Sequence, residues 1–216
     1  MNTELVRQQM VEQQVRTWAV FDPDVLRAFA DVCRDRYVPA EFTHCAYADV
    51  EIPIGHGQCM LRPSLDGRIL QAVEIGPGET VLEIGTGTGY LTACIARLAG
   101  SVTSIDLYDS FIKHASERLH DDGVDNATLA CMDASAELPG DDYDVVIVSA
   151  AVAEADSRFT EALRPGGRLF VVIGAAPAMT ATLVIRGVDG ELTTTGLFET
   201  DIPALVRPIK RPQFTF

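Results

Sequence analysis

The sequence predicts an α/β protein, a doubly wound and mostly parallel sheet of seven strands preceded by a helical extension. Three features carry that prediction. From Glu79 onward short β-branched runs alternate with segments at helical spacing, the pattern of a parallel sheet covered by helices on both faces. The runs are apolar almost throughout, as strands buried on both sides are. The first of them leads directly into Gly85-Thr86-Gly87-Thr88-Gly89, a bend at a strand tip.

Asn2 to Thr17 places Leu5, Val6, Met10, Val11 and Val15 near one helical face. Asp22-Pro23 announces a second helix, an N-cap followed by proline in the first turn, with a broad apolar stripe from Val25 to Cys33. Tyr37 to Pro63 is rich in Pro, Gly and His and holds no period, so it reads as irregular. So long an irregular stretch is either functional or a misread element. A helix over Pro63 to Val73 is broken at Gly76-Pro77-Gly78.

The sheet then begins with Thr80 to Ile84. A helix over Tyr90 to Leu98 leads to Val102–Ile105, which ends at Asp106. Phe111, Ile112, Ala115 and Leu119 line a helix that stops near Gly123. Ala127 to Cys131 and Tyr143 to Val148 are the third and fourth strands. A helix around Phe159 to Leu163 precedes Arg164-Pro165-Gly166-Gly167, and Arg168 to Ile173 is the fifth strand. Met179–Ile185 and Leu192–Phe198, joined at Val188-Asp189-Gly190, form a closing antiparallel hairpin. The expected division is 1–78 for the helical, acceptor-side extension and 79–216 for the sheet, packed as one compact unit.

The chain has 216 residues with 17 Lys plus Arg against 31 Asp plus Glu, a net charge of −14. Such a surface repels phosphate backbones, which argues against nucleic-acid or anionic-membrane binding. The longest apolar run, Val145 to Ala153, is interrupted by Ser149 and is about half the roughly 18 residues of a spanning helix. Met1-Asn2-Thr3-Glu4 has neither the basic flank nor the apolar core of a signal peptide. Cys33, Cys45, Cys59, Cys94 and Cys131 are widely spaced and suit neither a disulfide framework nor a zinc site. A soluble cytoplasmic protein is expected. His44 and His56 read as loop histidines, and His114 and His120 as solvent-facing positions on a helix.

In an open parallel sheet a ligand sits beyond the carboxyl ends of the strands, at the switch in topology. Gly85, Gly87 and Gly89 there let the backbone approach a ligand and take positive φ. Asp106, followed by Leu107, ends the second strand where a carboxylate accepts both hydroxyls of a ribose. Asp133, followed by Ala134, lies past the third strand within reach of an adenine amino group. Together with Thr86 these residues describe a nucleoside pocket. A dinucleotide fingerprint requires a glycine where Tyr90 stands, and no Lys-Ser/Thr ending marks a phosphate loop. Glu83 is expected to point its carboxylate towards the pocket, a poor neighbour for pyrophosphate and a tolerable one for a sulfonium. Spacing and charge therefore favour S-adenosylmethionine over NAD.

The run Val81-Leu82-Glu83-Ile84-Gly85-Thr86-Gly87-Thr88-Gly89-Tyr90 resembles the cofactor motif of protein-L-isoaspartate O-methyltransferases. Met10-Val11 with Gln14 and Arg16, then Asp22, Val25-Leu26 and Ala28, resembles that family's opening helices. Tyr37-Val38-Pro39 is similar to its Phe-Val-Pro, and Ala46-Tyr47-Ala48-Asp49 to its Ala-Tyr-x-Asp. Ile52-Pro53-Ile54-Gly55-His56-Gly57-Gln58 matches its Leu-Pro-Ile-Gly-x-Gly-Gln, and Leu163 to Leu169 resembles its later strand. Ser149-Ala150-Ala151 resembles its Thr-Ala-Ala, and Leu205-Val206-Arg207-Pro208 loosely its Phe-Val-Pro-Leu. The similarity runs from about Met10 to Gly174.

The resemblance implies a methyltransferase-type sheet, S-adenosylmethionine as cofactor, and methyl transfer to a carboxylate such as an L-isoaspartyl residue of a damaged protein, a repair reaction. It also implies that Gln58, Cys59, Leu61 and Arg62 form the acceptor-side segment. In the family that segment carries Thr and Ser hydroxyls that serve the cofactor and the acceptor carboxylate. Here Cys59 stands for the Thr and Leu61 for the Ser; a thiol donates weakly and a leucine not at all. The Arg62 guanidinium either takes over the carboxylate or is an exposed arginine beside a proline. A methyltransferase with a changed acceptor and a non-catalytic module that binds S-adenosylmethionine remain open, with a nicotinamide-dependent reductase more distant.

Overall fold

The computed structural model describes residues 3–206. Of the sequence expectations, Asn2, Arg207 and Pro208 lie outside the described residues. Helix α1 (Thr3–Met10) continues through a wide π turn over Val11–Val15 and a tight turn over Arg16–Trp18, and Ala19 ends it in a left-handed conformation at φ 63°. Helix α2 (Pro23–Asp31) starts as expected, with Asp22 Oδ1 accepting from the amides of Asp24 and Val25 at 2.8 and 3.1 Å.

The stretch expected to be irregular contains a small antiparallel pair, β1 (Ile52–Gly55) with β2 (Gln58–Met60). Helix α3 (Pro63–Val73) matches its sequence bounds, but Glu74 in the left-handed region closes it before the glycines.

Strands β3 (Thr80–Ile84), β4 (Ser101–Asp106), β5 (Ala127–Cys131), β6 (Tyr143–Val152), β7 (Leu163–Ala175), β8 (Ala178–Arg186) and β9 (Leu192–Thr200) form one sheet in the order β5-β4-β3-β6-β7-β8-β9. The first five are mutually parallel, and β8 and β9 close the sheet antiparallel. Helices α4 (Tyr90–Leu98), α5 (Asp109–Asp121) and α6 (Ser157–Glu161) connect the parallel strands. The chain builds outward from β3 to β5 and then returns to lay β6 on the other side of β3. The switch point is therefore the tip of β3, where the glycine bend lies.

Alternation along β3 separates two cores. Val81 joins Val145 and Ile147 on the face covered by the N-terminal helices and α4, while Leu82 and Ile84 join Val146 and Val148 over Phe159. Beyond β9 the chain returns to the end of β6. The Ala151 amide donates to Pro203 O at 2.9 Å and the Leu205 amide to Ala151 O at 2.7 Å. No helix among the described residues is long and apolar enough to cross a membrane.

Candidate functional site

A cleft opens at the tip of β3 between the glycine bend, the ends of β4 and β5, and the β1–β2 hairpin. Gly85 and Gly87 line it at φ 105° and 52°. A Cβ on Gly85 would stand 2.3 Å from Ser149 Oγ, and one on Gly87 would stand 3.3 Å from Ile54 Cδ1, so side chains there would fill the cradle. The amides of Gly85 and Thr86 donate to Ile105 O at 2.8 and 3.2 Å, tying the bend to β4. Gly89 does not line the cleft. Its notional Cβ would lie 3.0 Å from that of Ala115, so its glycine allows α4 to pack close to α5.

Asp106, Leu107, Asp133 and Ala134 all line this cleft, as the sequence placed them. Asp106 is held by its surroundings: Gly87 N donates to Oδ2 at 2.9 Å and Tyr108 N to Oδ1 at 3.0 Å. Burial pushes its carboxyl above the usual range, against the pull of these amides. Asp133 Oδ1 accepts from the amide and hydroxyl of Ser135 at 3.0 and 2.6 Å. Tyr108 and Phe111, which the sequence reading missed, form an aromatic rim. The His56 ring stacks on Tyr108 with centroids 4.0 Å apart and meets Phe111 edge-on, and its Nε2 lies 3.2 Å from Ser110 Oγ. An aromatic residue two places after a strand-end acid was the available signal.

Glu83 does not point into the cleft. Period two along β3 puts it on the Val81 face, fully buried beneath α4. Its Oε2 accepts from Thr92 Oγ1 at 2.5 Å and Ser104 Oγ at 2.6 Å. The single Ser104 proton is thereby committed, so Thr86 Oγ1, 2.6 Å away, donates to Ser104. Glu83 thus holds the glycine bend from below. Burial pushes its carboxyl up to about 8. The folded state then binds a proton that the unfolded chain releases near its ordinary value of about 4.3. This contribution to stability is whole below about pH 4 and is lost as pH rises through 8. Thermal unfolding of the ligand-free protein between pH 6 and 8.5 is expected to show falling stability, and Glu83→Gln is expected to flatten that slope.

The cleft continues inward into a smaller chamber lined by Cys59, Leu61, Asp66, Thr86, Thr88 and Tyr90, among others. Below it lies the fully buried Arg34. Its Nη1 donates to Asp66 Oδ2 at 3.2 Å, its Nη2 donates to Leu61 O at 2.6 Å, and its guanidinium sits 4.6 Å from the Tyr90 ring centroid. Burial raises the Asp66 carboxyl above its ordinary range although Arg34 pulls it down.

Of the acceptor-side segment, Gln58 and Cys59 line the cleft and Leu61 the inner chamber. The Cys59 thiol, 3.5 Å from Glu51 Oε2, is pushed up to about 12 by burial first and then by that carboxylate, so it stays protonated. Arg62 stands away from the acceptor side, against the first of its two expected readings. It lines neither chamber; it faces a separate surface groove beside Glu51 and Asp201, with its guanidinium 6.0 Å from the Trp18 ring. Extended backbone at Arg62 (ψ 146°), fixed by Pro63 at the start of α3, turns it opposite to Leu61.

Residues 5–202 match the family model for protein-L-isoaspartate(D-aspartate) O-methyltransferase. A protein-L-isoaspartate O-methyltransferase of Brucella anthropi is 37% identical over 175 residues, covering 81% of this chain and 80% of its own. One from Anaeromyxobacter sp. is 39% identical over 184 residues, covering 83% and 84%. In fold, the chain superposes with a TM-score of 0.81 on a protein-L-isoaspartate O-methyltransferase structure from Plasmodium falciparum in complex with S-adenosyl-L-homocysteine, at 19% identity and 92% and 97% coverage. A second structure bearing the same enzyme name gives a TM-score of 0.80 at 23% identity, covering 94% of this chain and 67% of that one.

Proposed function

The chain belongs to the protein-L-isoaspartate(D-aspartate) O-methyltransferase family, and from that premise we propose that it methylates the carboxylate of an isoaspartyl residue in a protein or peptide, using S-adenosylmethionine. The observation that carries this reading is Asp106, fixed by the Gly87 and Tyr108 amides at the strand tip beside the glycine bend.

The residues fit the cofactor. Two positive-φ glycines leave room for backbone approach, and a strand-end carboxylate matches a ribose diol. Among the described residues, neither the cleft nor the inner chamber is lined by a lysine or arginine that would hold a pyrophosphate. Asp106 would hold the ribose, Asp133 with Ala134 the adenine edge, and Leu107 would pack beside them. Gly85, Thr86 and Gly87 would form the cradle, with Glu83 and Gly89 supporting it from below.

S-adenosylmethionine supplies a methyl group made electrophilic by positive sulfur. The chain's residues then have to bind, align and keep water out. The acceptor carboxylate is already ionised at pH 7, so no general base is needed. Alignment falls to the hairpin segment Gln58–Leu61, and His56 stacked on Tyr108 closes the rim against water. We assign the acceptor side to residues 1–78 and the cofactor side to 79–216. The five unbridged cysteines support a cytoplasmic setting.

The test is transfer of labelled methyl from S-adenosylmethionine to an isoaspartyl peptide beside its normal aspartyl twin. Base-labile label on the isoaspartyl peptide alone is expected. Equal label on both, or none with cofactor binding intact, would refute the acceptor assignment.

A further inference from the structure

Among the described residues, the lining of the inner chamber holds a single charged side chain, Asp66. It shares Ile54, Cys59, Gly85, Gly87 and Ser149 with the main cleft, so the two spaces are continuous around the glycine bend. We propose that Asp66 binds the α-ammonium group of S-adenosylmethionine, an inference that rests on the cofactor assignment above.

With adenine towards Asp133 and ribose towards Asp106, a chain leaving the nucleoside past Gly85 and Gly87 enters this chamber. That chain ends in an ammonium and a carboxylate, and the chamber sorts them. Thr88 and Tyr90 stand at the start of α4, where the helix dipole favours an anion. Asp66 offers the opposite charge. It is 3% exposed and paired with Arg34. Glu83, a second buried carboxyl, keeps an Oε1 without a hydrogen-bond partner among the described residues. A ligand ammonium that enters this chamber meets Asp66 as the carboxylate of its lining.

A purely structural Arg34–Asp66 pair would be indifferent to the ligand's amino group, and calorimetry with three ligands separates the cases. They are S-adenosylhomocysteine, its analogue with hydrogen in place of the α-amino group, and 5′-methylthioadenosine, which lacks the amino-acid tail. The protein is expected to bind S-adenosylhomocysteine at least about tenfold more tightly than the deaminated analogue, about 1.4 kcal/mol. Asp66→Asn is expected to abolish that preference while leaving methylthioadenosine affinity within about twofold. Equal affinity of the unaltered protein for the first two ligands overturns the proposal, as does an Asp66→Asn loss that is the same for methylthioadenosine. If Asp66→Asn does not fold, Arg34→Met with Asp66→Leu removes the charge without stranding its partner, and the same pattern is expected. Failure of the unaltered protein to bind any of the three ligands would refute the cofactor assignment itself, and the proposal with it.

Discussion

Asp106→Ala is expected to weaken S-adenosylhomocysteine binding about a hundredfold, about 2.7 kcal/mol, while the protein stays folded. A carboxylate facing a ribose diol makes two charge-assisted hydrogen bonds, together worth roughly 1.5–3 kcal/mol net of the water that replaces them in a partly buried site. Its removal also frees the amides of Gly87 and Tyr108, which Asp106 now accepts at 2.9 and 3.0 Å. The bend and the aromatic rim would therefore loosen together, which pushes the effect to the upper part of the range. Cost to the fold is expected to be smaller, a few degrees in melting temperature, because Gly85 and Thr86 remain tied to Ile105 O. Calorimetry reads the affinity and thermal unfolding the fold. A loss below about threefold with an intact fold would remove Asp106 from the ribose.

The sheet was legible because each parallel strand is a compact apolar run bounded by turn residues, and the nucleoside pocket because its bend and acids are local to strand tips. The β1–β2 hairpin was not. Its strands have four and three residues, Pro53 interrupts the first, and the turn places His56 at φ 51° where an Asn or Gly would have announced it. Glu83 lies next to the bend in sequence yet away from the cleft, because side-chain alternation along β3 puts it with Val81. Arg62 was misplaced because a residue before proline is extended, so neighbours at 61 and 62 face opposite ways. Arg34 and Asp66 lie 32 residues apart, and no local pattern marks them as partners.

That pair yields the second large expectation: Arg34→Met should destabilise the protein by about 3–5 kcal/mol. The guanidinium is fully buried, and its loss strands the Asp66 carboxylate and the Leu61 carbonyl, each of which it now holds. Its contact with the Tyr90 ring goes too. For a chain of this size the melting temperature should fall by about 10 °C. Adding Asp66→Leu should return most of the loss, because a buried ion pair replaced by apolar groups is close to neutral whereas a broken one is not. Urea unfolding of the single and double variants decides this. A double variant no more stable than the single would assign the cost to the Leu61 carbonyl and the Tyr90 contact instead. The direction with pH is also set. Arg34 now lowers the Asp66 carboxyl, so without it Asp66 protonates more readily and the stranded charge disappears in acid. The deficit of Arg34→Met should therefore be smaller at pH 5.5 than at pH 8, which a packing defect alone would not produce.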